Sequence, residues 1–305
     1  MSERKRIKIS KKFEGVYAAL TTPFEDDEVS LDKFRENIEK YNEFDLSGYV
    51  IAGSTGESVF LSEKETELLV KTAAETASPD KKIIAGLSHE SLKHTLKLTN
   101  KLADIGLEAA LIRTPSYYKS LMTDEAQKRY YLSLADKSRI PIIIYNIPRN
   151  TGISVSAGLI VELALHQNIA GIKESEGNLS LLSEVANHLP QDFSYLLGAG
   201  SLFVDSLING ASGGILALAA VAPELCVKMY NLFLQGKSEK AKRIQLSLIP
   251  LNTAIITTYG IPAIKYALDL MGFNGGLPRP PLLPLEEKGK IEMKKILNEL
   301  KLLDH

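Results

Sequence analysis

Short apolar runs recur along the chain at residues 16–20, 48–52, 82–85, 109–112, 141–145, 169–173, 193–197 and 213–216. Within each run the apolar character is nearly continuous rather than alternating, as in strands buried on both faces of a parallel sheet. Helix-length stretches separate the runs. Leu31, Phe34, Ile38 and Tyr41 recur at helical spacing behind Ser30, a candidate cap. Ser62 and Glu65 form a capping-box pattern ahead of the next stretch. Further amphipathic segments lie at 91–102, 123–135, 156–165, 179–189, 201–208 and 221–234. Eight strand–helix units in one array predict an α/β protein built as a closed (β/α)8 TIM barrel. A doubly wound sheet is the competing topology, but no Gly-x-Gly-x-x-Gly fingerprint follows the first run.

The pattern divides the chain into a basic tail at 1–12, the barrel at 13–237 and a helical extension at 238–305. The extension reads as helices at 239–249, 263–271 and 285–303, with a turn-rich stretch at 272–284. It is too small to build a core of its own and is expected to pack on the barrel.

Composition narrows the function classes. With 36 Lys and Arg against 37 Asp and Glu, the net charge of -1 supplies no basic excess for nucleic acid. No apolar run approaches the 18 or so residues of a membrane span. The single cysteine, Cys226, rules out an intrachain disulfide framework and fits a reducing compartment. The tail carries Arg4, Lys5, Arg6, Lys8, Lys11 and Lys12 without an apolar stretch, so it does not read as a secretory signal. A solvated basic tail on a soluble, cytoplasmic protein is the expectation, an organelle transit role the lesser alternative.

In a barrel of this kind the chemistry sits at the C-terminal ends of the strands. Those positions hold Thr21 and Thr22, Gly53-Ser-Thr-Gly-Glu57, Thr114-Pro-Ser-Tyr-Tyr118, Tyr145-Asn-Ile-Pro-Arg-Asn-Thr-Gly152, Lys173-Glu-Ser175, Gly198-Ala-Gly200 and Gly213-Gly-Ile215. Lys173 closes an otherwise apolar run. At the mouth of a core, desolvation favours the neutral amine that attacks a carbonyl; a lysine past a strand can equally snorkel to water. The amides and hydroxyls around Ser54 and Thr55 suit a carboxylate, and equally a tight turn that caps the next helix. Tyr145 is a proton shuttle or a core tyrosine with its hydroxyl satisfied. The five histidines show no metal-ligand spacing. The glycine groups Gly198 to Gly200 and Gly210 to Gly214 keep a phosphosugar-binding barrel open as an alternative, with Lys173 electrostatic rather than nucleophilic.

Gly53-Ser-Thr-Gly-Glu57, Tyr145-Asn-Ile-Pro-x-x-Thr-Gly152 and Gly171-Ile-Lys-Glu174, in this order and spacing, resemble the dihydrodipicolinate synthase and N-acetylneuraminate lyase superfamily. The resemblance runs from about residue 15 to about residue 297. It implies class I, pyruvate-dependent chemistry through an imine on Lys173, without metal or organic cofactor. It also implies a homotetramer built as a dimer of dimers. Tyr145 then matches the proton relay, and Ser54 and Thr55 the pyruvyl carboxylate site, Thr55 also linking towards Tyr145. Tyr117 matches a tyrosine that reaches a neighbouring subunit's site. Gly198 and Ile215 match pocket-lining backbone.

Two positions depart from the synthase pattern. Asn150 stands where those synthases place an arginine for the second substrate's carboxylate, with Arg149 one position earlier. Ser175 stands where they usually have alanine. The helix behind Ser62 also lacks the histidines of a lysine-feedback site. Thr114-Pro-x-Tyr-Tyr118, Asn150-Thr-Gly152 and Lys173-x-Ser175, with Tyr259-Gly-Ile-Pro-x-x-Lys265 and Gly275-Gly276, look like 4-hydroxy-2-oxoglutarate aldolase. The first expectation is therefore cleavage of a 4-hydroxy-2-oxo acid to pyruvate and an aldehyde such as glyoxylate. The alternatives are condensation of pyruvate with aspartate semialdehyde, turnover of a 2-keto-3-deoxy sugar acid, or a barrel that binds a small anion without catalysis.

Overall fold

The computed structural model describes residues 12–303, so the basic tail, except Lys12, lies outside the described residues. Eight parallel strands close into a barrel: β1 (Gly15–Ala19), β2 (Gly48–Ile51), β3 (Lys82–Gly86), β4 (Ala109–Arg113), β5 (Ile142–Asn146), β6 (Ile169–Glu174), β7 (Ser194–Leu197) and β8 (Gly213–Leu216). They pair in chain order, and β8 returns to β1 through Gly15 opposite Gly213.

The pleat sends alternate residues to opposite faces. Val50, Ile84, Leu111, Ile143, Leu196 and Ile215 fill the lumen together with Phe13 and Tyr17. Ile51, Ile112, Ile144 and Ile172 point outward into the larger layer beneath the helices. Both sets are buried, which is why the runs look continuously apolar. At Gly171 in β6 a Cβ would come within 2.3 Å of the Ser194 carbonyl oxygen, so only glycine lets β7 approach there.

The helices follow the strands: α1 (Leu31–Tyr41), α2 (Glu63–Thr76), α3 (Leu92–Leu102), α4 (Asp124–Lys137), α5 (Ala157–Leu163), α6 (Leu179–Val185), α7 (Phe203–Ile208) and α8 (Pro223–Leu234). The capping box of α2 forms: the Glu65 amide donates to Ser62 Oγ at 3.2 Å, and the Ser62 amide to Glu65 Oε2 at 2.7 Å. Ser30 occupies the N-cap position of α1, but its hydroxyl donates instead to the Glu25 carboxylate at 2.5 Å. The stronger acceptor is a charged oxygen on the preceding short hairpin.

Beyond the barrel come α9 (Ser238–Ser247), a short turn Ile249–Thr253, a π-helical turn Ala254–Thr258, α10 (Ile261–Leu270) and α11 (Glu287–Glu299). The hydrophobic pattern leaves 250–258 unassigned. Pro250 sits in the first turn of its short helix, where a missing N–H costs nothing. This segment brings Ile255 and Ile256 over the strand ends.

Among the described residues, a fully buried ion pair joins extension to barrel. Lys265 of α10, fully buried, meets Glu57 Oε1 at 2.8 Å and donates to the carbonyl oxygens of Thr22 and Leu277, each at 2.8 Å. Burial pushes the Lys265 ammonium towards its neutral form, and Glu57 opposes that shift. The second Glu57 oxygen accepts the Arg279 amide at 2.8 Å. A Cβ on Gly275 would lie 1.9 Å from the Lys265 carbonyl oxygen, so Gly275 is required for this close packing. Lys265 and Gly275-Gly276, which the sequence pattern associates with a substrate branch, are thus placed as a structural clamp.

Candidate active site

The eight strands end around one cavity, and β6 delivers its central group. Lys173 is 5% exposed, and its amine opens into a space of about 170 Å³ shared with Tyr145, Ser175, Gly198 and Ile215. Lys265 is the other buried lysine, but every direction of its ammonium is taken by Glu57 and two carbonyls. Among the described lysines, only Lys173 combines burial with access. Strand β6 continues one residue past it, and the pleat turns Glu174 outward, where its carboxylate accepts the amides of Glu176, Gly177 and Asn178 at 2.7–3.0 Å. Burial raises the Glu174 carboxyl above the usual range despite these three donors. Glu174 therefore shapes the loop behind Lys173 and stays out of the cavity.

Tyr145 faces the lumen rather than the helix layer. It lies directly opposite Lys173 in the β5–β6 register, and Lys173 Nζ stands 4.5 Å from the ring centroid. Its hydroxyl is 3.2 Å from Ser54 Oγ. The link to Tyr145 expected of Thr55 is thus made by Ser54; Thr55 lines the Lys173 cavity without it. Ala52 and Glu57 both adopt left-handed backbone, φ 51° and 58°, and fold residues 53–56 into a tight turn. The Gly56 and Ser58 amides donate to the Gly53 carbonyl, and the Glu57 amide to that of Ser54. Both Ser54 and Thr55 line the cavity, and Ser54 alone of the two contacts the Tyr145 hydroxyl.

The rest of Tyr145-Asn-Ile-Pro-Arg-Asn-Thr-Gly152 is largely scaffold. Asn146 accepts the Val155 amide on its side chain at 3.1 Å and the Ser175 amide on its carbonyl at 3.0 Å. Thr151 donates to the carbonyls of Ile147 and Ile153, both at 3.1 Å. Asn150 is exposed and borders the cavity, whereas Arg149 leans towards the extension, its guanidinium donating to the Ile256 carbonyl at 3.3 Å. A Cβ on Gly198 would lie 2.1 Å from Ser175 Oγ, so the glycine makes room for the serine. Tyr117 stands apart: it is 79% exposed, packs edge-on against Tyr118, and does not line the cavity of its own chain.

A second chamber of about 140 Å³ adjoins the first, sharing Ser54, Tyr145, Ile147 and Asn150 and extending to Arg113, Ser116 and Ser88. The sequence pattern passed over Arg113 and the roof residues Ile255, Ile256 and Ile264. The only signal for Arg113 is that it ends β4 where an apolar run gives way to charge. Among the described residues no three His, Cys, Asp or Glu side chains gather as metal ligands.

Residues 12–300 match the model of the dihydrodipicolinate synthetase family. The chain belongs to this family. It is 38% identical over 293 residues to a 4-hydroxy-tetrahydrodipicolinate synthase of Archaeoglobus fulgidus, covering 95% of this chain and 99% of the relative. It is 34% identical to the enzyme of the same name from Methanococcus maripaludis, over 95% of this chain and 99% of that one. The crystal structure of dihydrodipicolinate synthase from Thermotoga maritima superposes with a TM-score of 0.91 at 29% identity, covering 96% of this chain and 100% of that one. Members of the family are lyases of the aldolase type, and this chain is an enzyme of that kind. No helix among the described residues is long and apolar enough to cross a membrane.

Proposed function

We propose that Lys173 forms an imine with pyruvate and that the enzyme condenses it with aspartate semialdehyde. The observation that carries the choice of aldehyde is the similarity, across nearly the whole chain, to relatives named for that synthase. The comparisons thus favour condensation over the aldol cleavage expected first from Asn150 and Ser175.

The geometry supports each step. The Lys173 amine adds to C2 of pyruvate, and the Tyr145 hydroxyl, in contact with Ser54, returns the proton that lets the carbinolamine lose water. The iminium draws electrons from C3, a C3 proton passes to the Tyr145–Ser54 relay, and the resulting enamine attacks the aldehyde carbon. The alkoxide so formed takes up a proton, and attack on the iminium carbon by the adduct's own amine or by water then frees Lys173. The hydroxyls of Ser54 and Thr55 hold the pyruvyl carboxylate, while Gly198, Ile215 and Ser175 bound the methyl side. The apolar roof of Ile255, Ile256 and Ile264 limits water around the imine.

Cleavage of a 4-hydroxy-2-oxo acid runs the same bond in reverse and remains the second reading, favoured by Asn150 at the cavity's edge. Borohydride reduction with pyruvate should add a pyruvyl mass to Lys173; an unmodified lysine sinks both readings. A panel of aspartate semialdehyde and 4-hydroxy-2-oxoglutarate then separates them, pyruvate consumption with the first supporting the synthase and pyruvate release from the second the aldolase. The exposed Tyr117–Tyr118 pair supports a homotetramer in which Tyr117 enters a neighbour's site, and sedimentation of the full chain tests that assembly.

A further inference from the structure

Arg113, Tyr145 and Lys173 form one row across the barrel. Arg113 is the register partner of Tyr145, and Tyr145 of Lys173. Leu111, two residues before Arg113, faces the lumen, so the pleat turns Arg113 inward as well. Neighbouring strands stand about 4.8 Å apart, which sets Arg113 about 10 Å of backbone from Lys173, with Tyr145 between them. The Arg113 side chain borders the second chamber beside Asn150, Ser116 and Ser54.

The guanidinium is held but not consumed. Its Nη1 donates to Glu90 Oε1 at 2.9 Å and to Ser116 Oγ at 3.3 Å. Nε and Nη2 donate to no described residue, leaving one edge of the planar fork open to the chamber. Glu90 is itself anchored, accepting the amides of Ser116 and Tyr117 at 2.7 and 3.0 Å. These donors and Arg113 hold the Glu90 carboxyl below its usual range against the opposing effect of burial. A cation clamped on one side and free on the other is suited to a bidentate carboxylate.

We infer that Arg113 binds the distal carboxylate of the substrate skeleton attached to Lys173, making it the specificity-determining residue of the second chamber, with Glu90 as its positioning residue. This rests on the imine reading above. It identifies the accepted partner class as carboxylate-bearing aldehydes, and it offers a cation where Asn150 supplies none. Arg149 is the weaker candidate, because it is exposed, directed towards Ile256 and outside the row.

The test compares 2-oxopimelate with 2-oxoheptanoate, which has the same length but no distal carboxylate, by calorimetric binding to the full chain. Wild type should prefer the diacid, and Arg113→Gln should reduce that preference about 10- to 100-fold. Arg113→Lys, which keeps the charge without the fork, should retain only part of it, and it decides the matter if Arg113→Gln does not fold. No preference in wild type, or a preference undiminished in the folded variant, overturns the assignment. Borohydride trapping of pyruvate on wild type is scored separately. A diacid preference that depends on Arg113 without trapping would remove the imine and leave Arg113 standing. Trapping with an Arg113-independent preference would do the reverse.

Discussion

Lys173 Nζ lies 4.5 Å from the centre of the Tyr145 ring, with the two residues paired in register across β5 and β6. The register itself holds the amine and the phenol together, so neither depends on a flexible loop for its position. Lys173→Met should abolish borohydride-trapped pyruvate entirely. Mass spectrometry showing the adduct on another lysine would remove Lys173 from its assigned role.

Ser54 and Tyr145 share a hydroxyl contact at 3.2 Å. Tyr145→Phe should lower kcat about 10²- to 10⁴-fold, the range for loss of one positioned proton donor. Ser54→Ala should lower it less, and the double variant should fall short of the product of the two effects, because one relay is being broken twice. Strictly multiplicative losses in steady-state kinetics would show that the two hydroxyls act independently.

The Glu57–Lys265 pair is fully buried. Lys265→Met leaves a buried carboxylate without its cation and should cost about 3–5 kcal/mol in urea unfolding. The double variant Glu57→Gln, Lys265→Met should recover part of that loss, since no unpaired charge is left behind. A single variant as stable as wild type would mean that the clamp contributes nothing net.

Arg279 holds the Glu65 carboxyl at about 2, down from its ordinary 4.5, and the α2 cap assists. The folded state therefore binds this proton less readily than the unfolded chain. The contribution is fully present above pH 4.5 and is lost as pH falls from there towards 2. Replacing Glu65 with Gln should flatten the stability profile in that window and leave its slope above pH 5 unchanged. An unchanged acid limb in thermal unfolding between those values would count against the pairing.

Asn150 borders both chambers. Asn150→Arg should place a second cation near Arg113, reduce any aldol cleavage and spare the pyruvate adduct. Full retention of cleavage in the coupled assay would show that position 150 does not define the substrate branch.

Much of the architecture was legible in one dimension because burial on both faces of β1–β8 leaves uninterrupted apolar runs, each ended by a polar or glycine-rich turn. Lys173 and Tyr145 stood out as candidates for the same reason: each is a titratable group at the end of such a run. Lys265 was harder to read. In sequence it stands beside pocket-lining residues of α10, and only its contacts with Glu57, Thr22 and Leu277 make it structural.

The amino-acid sequence by itself determined the strand–helix alternation and the likeness to a pyruvate-dependent family, since local periodicity and short motifs carry that information, and it left open whether Lys173 is buried or snorkels to water. Tertiary structure alone decided that Ser54 rather than Thr55 reaches Tyr145, because the contact joins the turn after β2 to β5, between residues 91 positions apart. It alone set Arg113 in the Tyr145–Lys173 row and Ile255 and Ile256 above them. Register between strands and the docking of distant helices depend on contacts across long stretches of chain, which no local pattern encodes.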